Sequence, residues 1–539
     1  MKTKNILRKL MLVTLNVMCI MVMISCESED DFLKEIPKDF LAPENTFVDK
    51  ANFEAALVTL YDNTRGIHCS NQGLHEKEWE VFYGQGADIG YHINKKDWIT
   101  DYGTVNSSNR TARSFWLKFY SIIKDANVII NRAEGEQVTW DSEADKNEIV
   151  SSARFFRAYA YRCLVSFYGG VPLITEEISA PKFDFVRATV DQVWALVLED
   201  LQFAKSHLPT ANPTGATLSK AAANYLIAET YLVMKQWDNA IAATNEILND
   251  GQYDLMTSRF GSMTDKPGDP YWDLYRLGNQ DRTSGNKENI FAWQYEFDVP
   301  GGHYNAVERA WGPFLEKLKS PDNRQAILKD EFLGRPVVFI RITPWVETGM
   351  WDDFNGDMRN SEYNVKRDFY INNPASANFG ELIVPTAANY VRNQFPYYQK
   401  FTHPYGHPQG YDSGGRIYTD WYLFRVAGVY LLQAEAYLGK GDQTGAAKAI
   451  NVVRGRANAT LVAPGNVDVD YLLDERAREL LGEEARRIVL NRMGKLVERT
   501  KLHNPISGIN IQAHNDLLPI PQTEIDINDG SVLEQNPGY

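Results

Sequence analysis

Residues 228–232 read AETYL, and residues 434–438 read AEAYL. After each copy comes a short turn and then a second Ala-rich stretch, with Ala240 and Ala446 at matching positions. In a helix, residues three and four apart share one face, so the small side chains let two helices approach while Tyr and Leu fill the space between them. Each copy therefore predicts a pair of helices joined by a tight turn.

Apolar residues at spacings of three and four continue this helical pattern through much of the chain. They predict helices over 115–130, 149–168, 189–207, 219–234, 237–249, 422–438, 443–457 and 471–500, whereas alternation predicts short strands over 290–297 and 336–342. Repeated helix pairs are typical of tetratricopeptide repeats, which stack side by side. The predicted fold is mainly α, with small β additions.

The stretch between about residues 251 and 415 has a different composition. Gly, Pro, Asn and aromatic residues crowd together there, and the stretch is too long for a connection and too aromatic for a linker. We interpret it as an irregular, packed insertion carried by a helical scaffold that spans about 45–250 and 420–539. Loops on rigid scaffolds tend to bear function, so the insertion is where we expect a ligand site.

The N-terminus has the features of an export signal. Residues 1–25 carry four basic residues and no acidic one, and residues 10–24 are mostly apolar. Ser25 precedes Cys26, as in a bacterial lipoprotein signal, in which Cys26 would become the lipidated first residue of a single domain over 26–539. An ordinary signal peptide cut nearby is the alternative. The acidic run at 27–31 is expected to be a solvated spacer.

Composition narrows the range of functions. The chain has 539 residues, 44% hydrophobic and 23% charged, and a formal net charge of −14. This acidic balance argues against nucleic acid as the main partner. Of the four cysteines, only Cys69 and Cys163 lie beyond Cys26, so a disulfide framework and a thiolate zinc site are ruled out, while one bridge or two buried thiols remain open.

The chain lacks the common sequence signatures of catalytic and metal sites. It contains no GxSxG, GxxxxGK[ST], HExxH or EF-hand pattern. The oxygen-rich residues 352–357 read DDFNGD and are interpreted as a polar turn, with structural calcium left open. His403 and His407 lie among prolines and glycines that forbid an aligning helix, so no metal ligand is assigned. No cofactor and no catalytic residue are predicted.

A set of motifs resembles one known family over nearly the full length. The matching blocks are Trp116-x3-Tyr120-x2-Ile123-x3-Asn127, Arg154-x2-Arg157-Ala158-x2-Tyr161, Tyr168-Gly169-Gly170-Val171-Pro172, Arg425-Val426-x3-Tyr430, Asn451-x2-Arg454-x-Arg456, Glu475-Arg476-x2-Glu479-x3-Glu483-x2-Arg486-Arg487 and the ending Asn536-Pro537-Gly538-Tyr539. In this order, with Cys26, they resemble the SusD/RagB family of nutrient-binding outer-membrane lipoproteins of Bacteroidetes. The charged block at 475–487 is interpreted as a structural ion network.

The resemblance implies a helical fold built on four tetratricopeptide-like repeats. It also implies a protein anchored by lipid to the outer membrane at the cell surface of a Gram-negative bacterium, where it acts as a lid on a SusC-like TonB-dependent transporter. The expected function is to capture a glycan by binding alone. A RagB-type protein for peptide uptake is the first alternative, and a helical glycoside hydrolase is a more distant one.

The aromatic residues suggest where a glycan would bind. Sugar rings stack their C–H faces on indole and phenol rings, while polar side chains at the rim bind the hydroxyls. Loop context and the family's general site location single out Tyr91, Asn94, Trp98, Tyr304, Arg309, Trp311 and Trp345. Trp98 and Trp311 are expected to stand in open loops. Trp116, Trp194, Trp237 and Trp421 lie on helical stretches and are assigned to the core.

Overall fold

A computed structural model describes residues 46–68, 78–93, 99–210, 212–330, 332–402 and 414–539. The predictions for Cys26, Cys69, Asn94, Trp98, His403 and His407 fall outside these ranges. The N-terminal scaffold consists of α1 (Lys50–Arg65), α2 (Glu78–Tyr83), α3 (Arg110–Arg132), α4 (Glu143–Tyr168), α5 (Val190–His207), α6 (Lys220–Val233) and α7 (Trp237–Leu248). The C-terminal scaffold consists of α11 (Val426–Gly439), α12 (Gln443–Arg456), α13 (Val469–Leu480), α14 (Arg486–Arg492), α15 (Leu496–His503) and α16 (Gln522–Ile527).

The insertion contains short elements only. Its helices are α8 (Pro270–Asp273), α9 (Val307–Trp311) and α10 (Ala387–Arg392), and one π-turn covers Trp345–Gly349. The strands are also short. Four lie in the insertion: β2 (Asn289–Trp293), β3 (Ile340–Ile342), β4 (Val365–Lys366) and β5 (Tyr397–Tyr398), whereas β1 (Gly90–His92) and β6 (Trp421–Arg425) lie outside it. They form three antiparallel pairs, β1–β3, β2–β6 and β4–β5. The mainly helical fold with small β additions is confirmed.

Local sequence explains why the long helices begin where they do. The side chain of Asn109 accepts the N–H of Ala112 at the start of α3, and Ser142 accepts that of Asp145 at the start of α4. Thr189 forms a reciprocal capping box with Gln192 before α5. These side-chain acceptors satisfy backbone donors that the first turn of a helix leaves without partners.

The two copies of the repeat occupy neighbouring helix pairs. AETYL lies in α6 and AEAYL in α11, and α7 packs against α11. The side-chain amide of Gln433 donates to Oδ1 of Asn245 at 2.8 Å, and a Cβ added to Gly439 would lie 2.6 Å from the ring of Trp237. Glycine is needed at position 439 for this close approach. The prediction that small side chains let the helices pack closely is confirmed.

Two predicted helices are wrong in part. The helix predicted over 422–438 begins only at Val426, because Trp421–Arg425 forms strand β6 and pairs with β2. The helix predicted over 471–500 is divided into α13, α14 and part of α15. The divisions contain Gly482 and Gly494, whose φ angles of 72° and 66° are left-handed and end a right-handed helix.

A buried ion network joins the insertion to the C-terminal scaffold. Nη1 of Arg359 lies 2.8 Å from Oε1 of Glu475 and 3.0 Å from Oε2 of Glu479. Lys400, also from the insertion, lies 2.6 Å from Glu483, which Arg425 contacts at the same distance. The structural interpretation of the charged block is confirmed, but most of its partners come from distant parts of the chain rather than from the same helix.

Three of the four tryptophans assigned to the core are buried. Trp116, Trp194 and Trp421 retain at most 5% exposure, whereas Trp237 is half-buried against the core. Cys163 is a buried thiol whose pKa burial raises to about 11. Within the described ranges, the structure has no helix with the length and apolar character needed to cross a membrane.

Candidate functional site

The first part of the site forms where the segment before α9 meets the segment after residue 413. The backbone N–H of Asn305 donates to the carbonyl of Ile417 at 2.7 Å, and the N–H of Ile417 donates back at 3.1 Å. The side-chain oxygen of Asn305 accepts the backbone N–H of Val307 at 2.9 Å and thereby orients the start of α9. This pairing places Tyr304 beside Arg416.

Cationic and aromatic side chains alternate on this surface. Cζ of Arg416 lies 4.9 Å from the ring centroid of Tyr304, and Cζ of Arg309 lies 6.0 Å from that of Phe339. Arg416 is exposed, whereas Tyr304, Arg309 and Phe339 are partly buried. We call Tyr304, Arg309, Arg335, Phe339 and Arg416 the arginine cluster. At its edge the exposed Phe297 packs edge-on against Tyr418, with ring centroids 5.2 Å apart.

Backbone contacts fix the position of Arg309. Gly415 has a φ of +79°, and a Cβ at this position would lie 2.7 Å from Cγ of Arg309 and 2.4 Å from the carbonyl oxygen of Arg335. Nη1 of Arg309 donates to the carbonyl of Gly414 at 3.3 Å, whereas its buried Nε has no partner among the described residues. Only glycine lets the chain pass this close to the arginine stem.

The turn that carries Arg335 is held by a buried carboxylate. Glu308 accepts the backbone N–H of Arg335 at 2.7 Å and the hydroxyl of Thr402 at 2.9 Å. The guanidinium of Arg335 donates from Nε to Glu316 at 3.1 Å, and Arg335 retains partial exposure. Glu308 thus acts on the site through the backbone that it holds.

The like charges of the cluster act on one another. Burial lowers the pKa of Arg309, and the nearby charges of Arg335 and Arg416 lower it further. Tyr304 is close enough to oppose this effect. The cluster therefore holds three guanidinium groups close enough to act on one another, on a protein whose formal net charge is −14.

The second part of the site lies on the β1–β3 pair. Tyr91 stands opposite Arg341, and Arg341 pairs with Glu347, to which Tyr390 donates a short hydrogen bond. Burial and this bond raise the pKa of Tyr390 to about 12, and burial raises that of Tyr91. Tyr91 and Tyr390 both keep part of their surface exposed. We call Tyr91, Arg341, Glu347 and Tyr390 the tyrosine cluster.

Strand β3 joins the two clusters. Phe339 comes immediately before β3, and Arg341 within β3 stands opposite Tyr91 of β1. Trp345 follows three residues after the end of β3. Even a fully extended chain from Phe339 to Trp345 would span at most about 22 Å. Arg309 therefore lies beside the segment that leads into β3, Tyr91 lies on the strand that pairs with β3, and Trp345 follows the end of β3.

The prediction that Trp311 stands in an open loop is wrong. Trp311 ends helix α9, has 0% exposure and stacks on Phe401 with ring centroids 4.9 Å apart. Carbon Cε2 of its ring would also lie 3.4 Å from a Cβ at Gly482. A side chain enclosed in this way packs the insertion against the scaffold and offers no face to a ligand.

Trp345 is partly exposed, but one face of its ring is occupied. Its ring stacks on His503 with centroids 4.4 Å apart, and Cζ of Arg499 lies 4.9 Å from the Trp345 centroid. Arg499 also binds Asp88, which is buried and paired with Arg486 at 2.7 Å. Asp88 is thus part of the scaffold, and Trp351, with 8% exposure, is buried as well.

The oxygen-rich residues 352–357 are occupied by protein contacts. Asp353 accepts the N–H of Gly356 at 3.0 Å and both the N–H and the hydroxyl of Thr460, at 2.8 and 2.7 Å. Asp352 accepts the hydroxyl of Tyr471, and Asp357 pairs with Arg359. Throughout the part of the chain that the structure describes, no three His, Cys, Asp or Glu side chains are grouped so that they could hold a metal ion.

Sequence reasoning missed Arg335, Phe339, Tyr390 and Arg416. Arg335 stands in a Gly-Arg-Pro turn and Arg416 follows two glycines, which are the only local signals of an ordered loop. Aromatic residues near polar ones are visible in the local sequence, whereas arginines that come together from three separate segments are not.

Comparison with known proteins places the chain among SusD-like proteins. A family model described as "SusD family" matches residues 347–539, and one described as "Starch-binding associating with outer membrane" matches residues 31–232. A relative, SusD-like protein P25 of Formosa agariphila, is 25% identical, with 94% of this chain and 96% of that protein aligned.

Solved structures share the fold. A laminarin-binding SusD-like protein superposes with a TM-score of 0.69 at 21% identity, covering 92% of this chain and 100% of that one. Surface glycan-binding protein A from Bacteroides thetaiotaomicron, solved with laminarihexaose, gives 0.69 at 19% identity, with coverages of 91% and 100%. The fold is thus that of SusD-like structures. Because two SusD-family models match opposite ends of the chain and together cover well over half of it, this chain belongs to the SusD/RagB family.

Proposed function

We propose that the protein captures a glycan at the cell surface and passes it to a SusC-like TonB-dependent transporter. The observation that carries the proposal is the group of partly exposed rings, Tyr304 and Phe339, beside the guanidinium groups of Arg309 and Arg416, with Tyr91 on the strand that pairs with β3. Rings of this kind stack on sugar faces, and the donors bind hydroxyls or acidic groups at the rim. The laminarin named for one structural neighbour and the starch named in one family description support a carbohydrate as the ligand.

Binding without hydrolysis is the mechanism that we propose. The family descriptions and the names of the neighbours refer to binding, and the acidic side chains of the charged block are held in structural ion pairs. Lipidation of Cys26 would hold the protein at the outer membrane, in keeping with the family description that mentions association with that membrane. A stable anchor needs more than one acyl chain, so a multiply acylated Cys26 is expected.

One incubation separates this function from the alternatives. The purified protein is mixed with oligosaccharides and with peptides, and each mixture is analysed for retained ligand and for cleavage products. Retention of an intact oligosaccharide supports the proposal. Shortened sugars would identify a hydrolase, and retention of peptides alone would identify a RagB-type peptide-uptake protein. Co-purification of a SusC-like TonB-dependent transporter with this protein tests the proposed partner.

A further inference from the structure

The charge of the arginine cluster carries information about the ligand. Arg309, Arg335 and Arg416 come from three separate segments of the chain. Arg335 and Arg416 nevertheless lie close enough to Arg309 for their charges to lower its pKa. Glu316 offsets the charge of Arg335 at 3.1 Å. In the described part of the chain, Arg309 has no carboxylate within ion-pair distance, and its Nε has no hydrogen-bond partner.

Repulsion between like charges that are held together lowers the stability of the folded protein unless a group of opposite charge offsets it. A buried guanidinium nitrogen without a partner costs free energy, because its hydration is lost and not replaced. Gly415 and the Asn305–Ile417 pairing nevertheless hold Arg309 in this position. An anion at the exposed side of the cluster would offset the repulsion between the guanidinium groups, with the paired geometry that arginine offers to carboxylate and sulfate.

We propose that the glycan bound by this protein is anionic, and that its carboxylate or sulfate groups bind at Arg309 and Arg416 while its sugar rings contact Tyr304 and Phe339. This inference rests on the proposed function and specifies its substrate class. A neutral glucan would offer no charged partner to Arg309, which has no carboxylate within ion-pair distance in the described part of the chain. The acidic net charge of the protein limits attraction of anions elsewhere, so the selectivity belongs to this patch.

The test is a calorimetric titration of the full mature chain with four probes of similar length. They are laminarihexaose, which is neutral, a hexamer of galacturonic acid, which carries carboxylates, a sulfated galactan oligosaccharide, and hexaglutamate as an acidic peptide. The expected result is that at least one charged oligosaccharide binds at least about tenfold more tightly than laminarihexaose, as charge-assisted hydrogen bonds contribute. The two charged sugars distinguish carboxylate from sulfate.

Variants link the preference to the cluster. Arg309→Gln and Arg416→Gln are each expected to weaken binding of the charged oligosaccharide about tenfold or more, and to weaken binding of laminarihexaose by a clearly smaller factor. Arg113→Gln, at an exposed arginine on α3, is the matched control and should bind as the parent does. Because Arg416 is exposed, its substitution does not depend on refolding of a core. Raising the ionic strength from about 0.1 M to about 1 M should reproduce the loss, since screening shortens from about 10 Å to about 3 Å.

Each remaining outcome overturns a different statement. Binding of laminarihexaose as tight as that of the charged sugars, or charged-sugar binding unaffected by both arginine variants, overturns the anionic ligand and leaves the glycan function standing. Binding of hexaglutamate without any sugar replaces the glycan with an acidic peptide. Failure of every probe, by a protein that melts cooperatively, contradicts the proposed function itself.

Discussion

Tyr304 precedes helix α9 and Trp311 is its last residue, and the two side chains have opposite surroundings. Tyr304 is partly exposed beneath Arg416, whereas Trp311 is enclosed by Phe401 and the backbone at Gly482. Both residue types suit sugar stacking, and the local sequence does not tell which one faces solvent. The surroundings of each side chain come from distant parts of the chain: the pairing of Asn305 with Ile417 brings Arg416 to Tyr304, and Phe401 stacks on Trp311.

Tyr304→Ala is expected to weaken glycan binding about tenfold, because truncation removes a contact ring and little buried core. A loss of this size corresponds to about 1.4 kcal/mol, within the range of interface residues. Calorimetry gives the affinity, and a urea titration should show a change in unfolding free energy below about 1 kcal/mol. Unchanged affinity would remove Tyr304 from the site.

Trp311→Ala is expected to have the opposite signature. Removing a fully buried indole leaves a cavity, so the free energy of unfolding should fall by about 3–5 kcal/mol. Equilibrium unfolding in urea measures the loss. A variant as stable as the parent, but unable to bind glycan, would restore the original prediction that Trp311 touches the ligand.

At the scale of elements, glycines decide where the C-terminal helices end. Apolar spacing continues through 471–500 and predicts one helix, but Gly482 and Gly494 adopt left-handed backbone angles between the segments. At Gly482 a Cβ would lie 2.6 Å from the ring of Phe401, whereas at Gly494 it would meet nothing within 4 Å. The spacing of apolar residues indicates which side chains share a face of a helix. It does not indicate a helix break that depends on contact with a distant aromatic ring.

These two glycines form a matched pair of variants. Gly494→Ala should cost about 1 kcal/mol, from backbone strain alone. Gly482→Ala should cost clearly more, because Phe401 and then Trp311 must also move. Urea unfolding of both variants measures the difference. Equal losses would mean that the contact with Phe401 does not constrain this break.

At the scale of the whole molecule, the ion network unites the insertion with the scaffold. Burial alone would raise the pKa of Glu475, but the charges of Arg359, Arg478 and Arg454 lower it to about 2 from an ordinary 4.5. A lowered pKa means that the unfolded state binds more protons between these values. The contribution is therefore present above about pH 4.5 and is lost as the pH falls towards 2.

Glu475→Gln should show this dependence directly. At pH 7 the variant should lose about 3–5 kcal/mol of unfolding free energy, because three buried arginines lose a charged partner. As the pH falls from about 4.5 towards 2, the difference from the parent should shrink by about 3 kcal/mol, which is the size of the pKa shift. Urea titrations across this range measure it. A difference independent of pH would contradict the assignment of the charge.

The sequence predicted the helical scaffold and the repeat because both depend on local periodicity. Tyr91, Tyr304 and Arg309 were predicted as site residues because they lie in aromatic, polar stretches, and their role in ligand binding stays a prediction. Strand β6 was missed because its pairing with β2 overrides a helical pattern. The arginine cluster was missed because Arg335 and Arg416 reach Arg309 only through tertiary contacts.

The central claim is that a glycan binds the surface that the insertion presents along β3. Hydrogen–deuterium exchange of the full mature chain, with and without a saturating charged oligosaccharide, tests it most directly. We expect slower amide exchange at residues 304–309, 335–342 and 414–418 when the oligosaccharide is bound, because ligand contacts would order the backbone there. Protection confined to the helices α3 to α5, with these segments unchanged, would contradict the claim.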